Sequence, residues 1–238
     1  MFGLATIVIF ALVLVAATKF LPSDWQKEIL RETVELNMIF IALLGAKLGD
    51  YSFGISNVGN LLYGTVFLCQ FILIRKFGET STRKTTHITL YCFALAVILR
   101  LLISFVPTVP GNEAVSDALR ILVKTNSQFA LASFLAFYAS QQAIIFIARR
   151  TANLHLLLNY LLVCFFGQIV DSIVFFPIAF AVGLPINLTA GEIGLTGFGV
   201  KIAFAVLSLV VVWWWFGAHP EKLINFYHKL KFRFHQQT

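Results

Sequence analysis

Long apolar runs, interrupted at intervals by short polar stretches, set the pattern of this chain. A helix needs about 20 apolar residues to cross a bilayer, with a range of about 17–25. Seven stretches are read as such segments: 2–18, 34–48, 56–74, 86–106, 127–148, 156–182 and 198–217. The third is the weakest, because Asn57, Gly59, Asn60, Gly64 and Gln70 interrupt it. The first has no basic residue before its apolar run, and Lys19 follows it. That order is wrong for a cleaved signal, so an uncleaved helix with its N-terminus outside is expected. Two connections, PSDWQKEILRETVE and NEAVSDALRILVK, place apolar residues at helical spacing among charges and predict interfacial helices.

Composition agrees with this reading. The 238 residues are 59% hydrophobic and 12% charged, against about 45–50% and about 25% in soluble domains. Mean hydropathy is +0.85. The expected fold class is an all-α integral membrane protein, a polytopic bundle of about seven transmembrane helices. The organisation expected is an extra N-terminal helix over 1–20, an interfacial helix over 21–33, a membrane domain over 34–217 and a basic cytoplasmic tail over 218–238.

The net charge of +7 comes from Lys and Arg at the ends of the apolar segments, a topology signal rather than a nucleic-acid footprint. Alternate connections collect Lys19, Lys27, Arg31, Arg75, Lys76, Arg83, Lys84, Arg149, Arg150, Lys222, Lys229, Lys231 and Arg233 on one side. Only Lys47, Arg120 and Lys124 fall on the other. Cytoplasmic loops carry the excess of basic residues, so the C-terminus is expected inside. Trp213, Trp214 and Trp215 close the last segment at that edge and read as headgroup anchors. Arg100 lies about 9 Å from the outer end of its segment and is expected to snorkel to the interface.

No enzyme signature is present: no HExxH, GxxxxGK[ST] or GxSxG, and no His/Cys cluster at metal-ligand spacing. No catalytic residue, metal or cofactor is expected. Cys69, Cys92 and Cys164 lie within apolar segments and form no CxxC pair. What remains is a set of amides and one acid. Gln70 lies in the third segment, Gln141 and Gln142 in the fifth, Gln168 in the sixth. Asn60, Tyr63, Phe67 and Gln70 recur at helical spacing, as do Ser133, Ala136, Phe137, Ser140 and Gln141. Such side chains can tie helices together for about 0.6–2 kcal/mol each, or line a shared cavity.

Asp171 stands apart. From Leu154 to Pro185 it is the single acidic or basic side chain besides His155. Counted from residue 156 at about 1.5 Å per residue, it sits roughly 22 Å into the membrane. A carboxylate at that depth costs several kcal/mol unless paired or hydrated. Gln168, Asp171 and Ser172 share one helical face. Pro177 opens the hydrogen-bond ladder nearby, and Lys201 is placed to supply a counter-ion.

In the order NMIFIALLGAKLGDYSFG, NLLYGTVFLCQFILIRKFGE, SFLAFYASQ, GQIVDSIVFFPIAF, these residues resemble the bacterial queuosine-precursor transporters, also called the vitamin uptake transporter family. The resemblance spans about residues 35 to 210. Gln168, Asp171, Ser172 and Phe175 match the family's QxxDSxxF, Ser140-Gln141 its Ser-Gln, and Lys201 the Lys opening its last helix. The chain departs from the family at Phe71, Arg75 and Ile144, where members carry acids, and at Gln128 in place of an Arg. The resemblance implies a six-helix importer of 7-deazaguanines such as preQ0, preQ1 or queuine in a bacterial inner membrane. Substrate would be held by Asp171, Gln168, Gln141, Gln70 and Lys201, with Phe175 or Phe67 stacking on its face. The implied partners are that small molecule and membrane lipid, with no nucleic acid; self-association is open. The other reading is a structural membrane protein in which Asp171 and Lys201 only orient helices.

Overall fold

The computed structural model describes residues 2–44, 48–50, 55–57, 59–106, 113–179 and 190–217. Helices account for nearly all of them: α1 (Phe2–Ala17), α2 (Ser23–Leu44), α3 (Gly59–Ser104), α4 (Glu113–Arg150), α5 (Leu156–Ala179) and α6 (Ala190–Gly217). Between α2 and α3 lies a short antiparallel hairpin, β1 (Leu48–Asp50) with β2 (Ile55–Asn57), in which Gly49 faces Ser56. Among the described residues, four helices contain stretches long and apolar enough to cross a membrane: Leu62–Ile103, Gln128–Arg150, Leu156–Ala179 and Ile193–Gly217. The chain is a multi-pass helical membrane protein.

Six helices carry the seven expected segments, because α3 holds two of them. Gly78 breaks α3 with φ 83° and ψ 173°, a conformation that glycine adopts without steric cost. Contacts with α2 show what the break does. Lys76 hydrogen-bonds Gln26 near the start of α2, while Gly59 and Asn60 border the same cavity as Ile41 near its end. The first half of α3 therefore runs antiparallel to α2. Beyond Gly78 the sense reverses: Cys92 Sγ lies 3.9 Å from Glu35 Oε2, and Arg100 Nη1 donates to the Ala42 carbonyl at 3.0 Å. The two halves of α3 double back on each other.

The two amphipathic connections do not stand apart as separate helices. PSDWQKEILRETVE continues without interruption into the apolar stretch after it to make α2, and NEAVSDALRILVK continues into α4. Neither junction contains a Gly or Pro that would end a helix, so the hydrogen-bond ladder runs on.

One end of the bundle gathers the basic connections. Lys19 donates to the Trp214 carbonyl, Arg75 Nη1 to the Ala152 carbonyl at 3.3 Å, and Arg149 pairs with Glu79 at 3.3 Å. This matches the side to which alternating loops assign these residues. The tail over 218–238 and Lys47 lie outside the described residues, as do the side chains of Arg120 and Lys124. The expected result is that a reporter active only outside the cytoplasm stays silent when fused after Thr238. Strong activity there would reverse the orientation.

Two sequence expectations about edge residues are corrected. Trp215 is 4% exposed and donates its indole N–H to the Val15 carbonyl at 3.0 Å, so it docks α1 onto α6. Trp214 carries Lys19 over its ring at 4.7 Å, and Trp213 alone is largely exposed. Consecutive helical residues point about 100° apart, so three in a row cannot all face headgroups. Arg100 does not snorkel. It is buried against the last turn of α2, where free carbonyls and the negative end of the helix dipole favour a cation.

Candidate functional site

Asp171 sits on α5 one turn beyond Gln168, and both are buried. Lys201 does not open its helix as the sequence suggested: α6 begins at Ala190, about three turns earlier. From within α6 Lys201 hydrogen-bonds and ion-pairs with Asp171 Oδ2, both side chains being 1% exposed. A buried pair of this kind has lost the hydration of both charges, so each partner depends on the other. Gln168 Nε2 donates to the Lys201 carbonyl at 3.2 Å, a second tie between α5 and α6. Asp171 Oδ1, Gln168 Oε1 and the Ser172 hydroxyl have no partner, although all three are buried.

The first half of α3 closes the site from the other side. Lys201 Nζ stands 5.0 Å from the centre of the Tyr63 ring, whose negative face suits an ammonium. The Tyr63 hydroxyl donates to the Ser133 carbonyl of α4 at 3.2 Å. Gly64 explains how α6 comes so near. A Cβ there would lie 2.3 Å from Phe204 Cγ and 2.9 Å from its Cβ, one turn beyond Lys201. Gly64→Ala should push α6 outward, destabilise the fold by about 1–3 kcal/mol and weaken the Lys201–Tyr63 contact. Thermal denaturation in detergent measures the first effect, and unchanged stability would mean that Phe204 swings aside freely.

Together Ile41, Gly59, Asn60, Tyr63, Ser133, Asp171, Phe175 and Lys201 line a cavity of about 10 Å3, room for about one water. Phe175 borders this cavity with its ring 6.2 Å from that of Phe129.

Of the sequence-predicted residues, Asp171, Lys201 and Phe175 are brought to the cavity, and Gln168 braces it. Gln70, Gln141 and Phe67 are fully buried but do not line it. No interhelical hydrogen bond is made by the Gln70 or Gln141 amide, as neither atom of either group has a partner. Gln142 turns outward and accepts from Arg83 Nη1 at 2.9 Å. Gln128, where the resembled family has an Arg, donates to the Ile178 carbonyl at 2.7 Å beside Pro177. Tyr63, Asn60 and Ser133 line the cavity without being predicted for it. Their helical stripes were visible, but nothing local shows which neighbour a stripe faces. Ile41 carries no polar signal at all. Among the described residues, no group of His, Cys, Asp and Glu could hold a metal.

Comparison with curated proteins found no match, and comparison with solved structures found none. A family model described as "Putative vitamin uptake transporter" matches residues 57–215, more than half of the chain. That span contains α3 to α6, hence every cavity-lining residue except Ile41, and it leaves α1 and α2 outside. A buried acid with its counter-ion inside a multi-pass helical bundle is the kind of group that marks solute and ion pathways in membrane proteins. With the match covering those same helices, the chain belongs to the vitamin uptake transporter family.

Proposed function

We propose that this protein imports a planar heterocycle with N–H donors, specifically a 7-deazaguanine queuosine precursor, across the bacterial inner membrane. One observation carries this reading: a fully buried carboxylate spends one oxygen on Lys201 and leaves the other without a hydrogen bond, one helical turn from the equally unpartnered Gln168 carbonyl oxygen. Both of these oxygens are acceptors, and the unpartnered Ser172 hydroxyl can accept as well, so the complementary solute presents donors. A 7-deazaguanine offers its N1–H and exocyclic amine side by side, which one carboxylate accepts as a pair. Phe175 offers a ring against the cavity for stacking.

The cavity is too small for such a base while the pair is closed. Entry therefore separates Lys201 from Asp171, freeing Oδ2 for the second N–H and leaving the ammonium to meet the base's carbonyl. Charge stays balanced throughout, because the carboxylate exchanges one set of donors for another. The basic end of the bundle is the cytoplasmic one in this scheme. The test is accumulation of radiolabelled preQ0 by cells expressing the protein against matched cells without it. Equal accumulation in the two would overturn the substrate assignment.

A further inference from the structure

Among the described residues, two fully buried amides outside the Asp171 cavity have no partner at either side-chain atom. Gln70 on α3 and Gln141 on α4 are both 0% exposed, and all four of their polar side-chain atoms lack a partner. Buried polar groups are nearly always hydrogen-bonded, and each exception calls for an explanation. In a membrane the cost of leaving them so is undiminished.

Their position supplies the explanation. Gly167 of α5 meets Phe67 of α3 and Ile144 of α4 at close range: a Cβ on Gly167 would lie 2.9 Å from Ile144 Cγ1 and 3.3 Å from Phe67 Cε1. Phe67 and Ile144 are themselves 0% exposed. Both α4 and the first half of α3 run toward the basic end. Gln141 precedes Ile144 by three residues, about 4.5 Å nearer the cavity end. Gln70 follows Phe67 by three, about 4.5 Å nearer the basic end. Spacing of i, i+3 keeps each amide on the face of its apolar neighbour. The order along the axis is then the Asp171 cavity, Gln141, a dry apolar contact, Gln70 and the basic end.

We propose that Gln141 and Gln70 are successive polar stations on the solute's path from the Asp171 cavity to the basic end, separated by an apolar plug of Phe67, Ile144 and Gly167. The identity of the solute rests on the proposed function; the path itself does not. A solute with donors and an acceptor satisfies the amides in passing, and the plug keeps the two stations from being open to water together. Gly167 lets the plug close, since any side chain there would hold α5 away from α3 and α4.

The test reads the path independently of the solute. In a background with Cys69, Cys92 and Cys164 replaced by Ala, Gln70→Cys and Gln141→Cys are each prepared, shown to be monodisperse in detergent and returned to vesicles of known orientation. A membrane-impermeant maleimide is applied from either side. The expected result is labelling of Gln70→Cys from the basic side alone and of Gln141→Cys from the opposite side alone, with Ile144→Ala removing that sidedness. Lack of labelling at both positions, or labelling of both from one side in the unmodified background, would overturn the path. Gln70→Leu keeps the size and removes the unpaired amide. It should leave folding intact while slowing preQ0 uptake about tenfold. Uptake at the unmodified rate would also count against the inner station. Sided labelling in a protein that neither binds nor transports preQ0 would discard the solute and keep the path.

Discussion

Asp171→Asn is expected to reach the membrane in normal amount and to lose uptake of 7-deazaguanine bases. The substitution conserves size but turns an acceptor-only group into one that is half donor. In the closed state the Asn carbonyl still accepts from Lys201 and the Tyr63 ring stays beside the ammonium, so this cation keeps partners that the carboxylate stranded by removing Lys201 would lack. In the loaded state the amide must present its NH2 to one of the base's N–H groups, and a donor then faces a donor. Losing a charge-assisted hydrogen bond in a dry site costs roughly 1.5–3 kcal/mol, or about 10- to 150-fold in affinity. The measurement is preQ0 uptake at several concentrations, scaled to protein in the membrane. Gln168→Ala should be impaired less, since its Nε2 is already committed to the Lys201 carbonyl. An Asp171→Asn protein that transports at the unmodified rate would take the carboxylate out of the mechanism.

The second large effect concerns the partner. Lys201→Met leaves Asp171 buried with no cation, and breaking a buried pair from one side costs about 3–5 kcal/mol. Lower abundance and earlier thermal aggregation in detergent are expected. Adding Asp171→Asn to Lys201→Met removes the stranded charge, and stability should return to near the unmodified level. Uptake should not return, because the acceptor pair is gone. Recovery of both stability and uptake in the double variant would reduce the pair to a helix-orienting contact, the structural reading left open by the sequence. Lys201→Met remaining fully stable would show that Asp171 finds another partner.

Several features of the fold are legible in the hydropathy pattern. Membrane class, the apolar segments and the grouping of basic loops at one end follow from transfer energies, which depend on local composition and segment length. So does the singular position of Asp171. A short acidic side chain roughly 22 Å from one end of an apolar helix and about 12 Å from the other cannot reach water along its own stem, and that makes it an anomaly in any fold. Lys201 as its partner was within reach of the same reasoning, because opposite charges at matching depth are one of few ways to hold both in hydrocarbon.

Hydropathy reports depth and says little about direction around a helix. Arg100 and Lys201 both stand within apolar segments; the fold sends one to the end of α2 and the other to Asp171. Gln70, Gln141 and Gln168 look alike in sequence, yet only Gln168 braces the cavity, because the crossing of α3, α4 and α5 at Gly167 sets the other two on either side of a dry contact. Gly78 is one glycine among 15, and only its positive φ identifies it as the point where α3 turns back. Composition and segment length alone place this chain in a membrane with one acid held there at a cost. Which side chains meet that acid was decided by tertiary structure, because helix rotation and crossing are set by packing between segments far apart in the chain, where no local pattern records them.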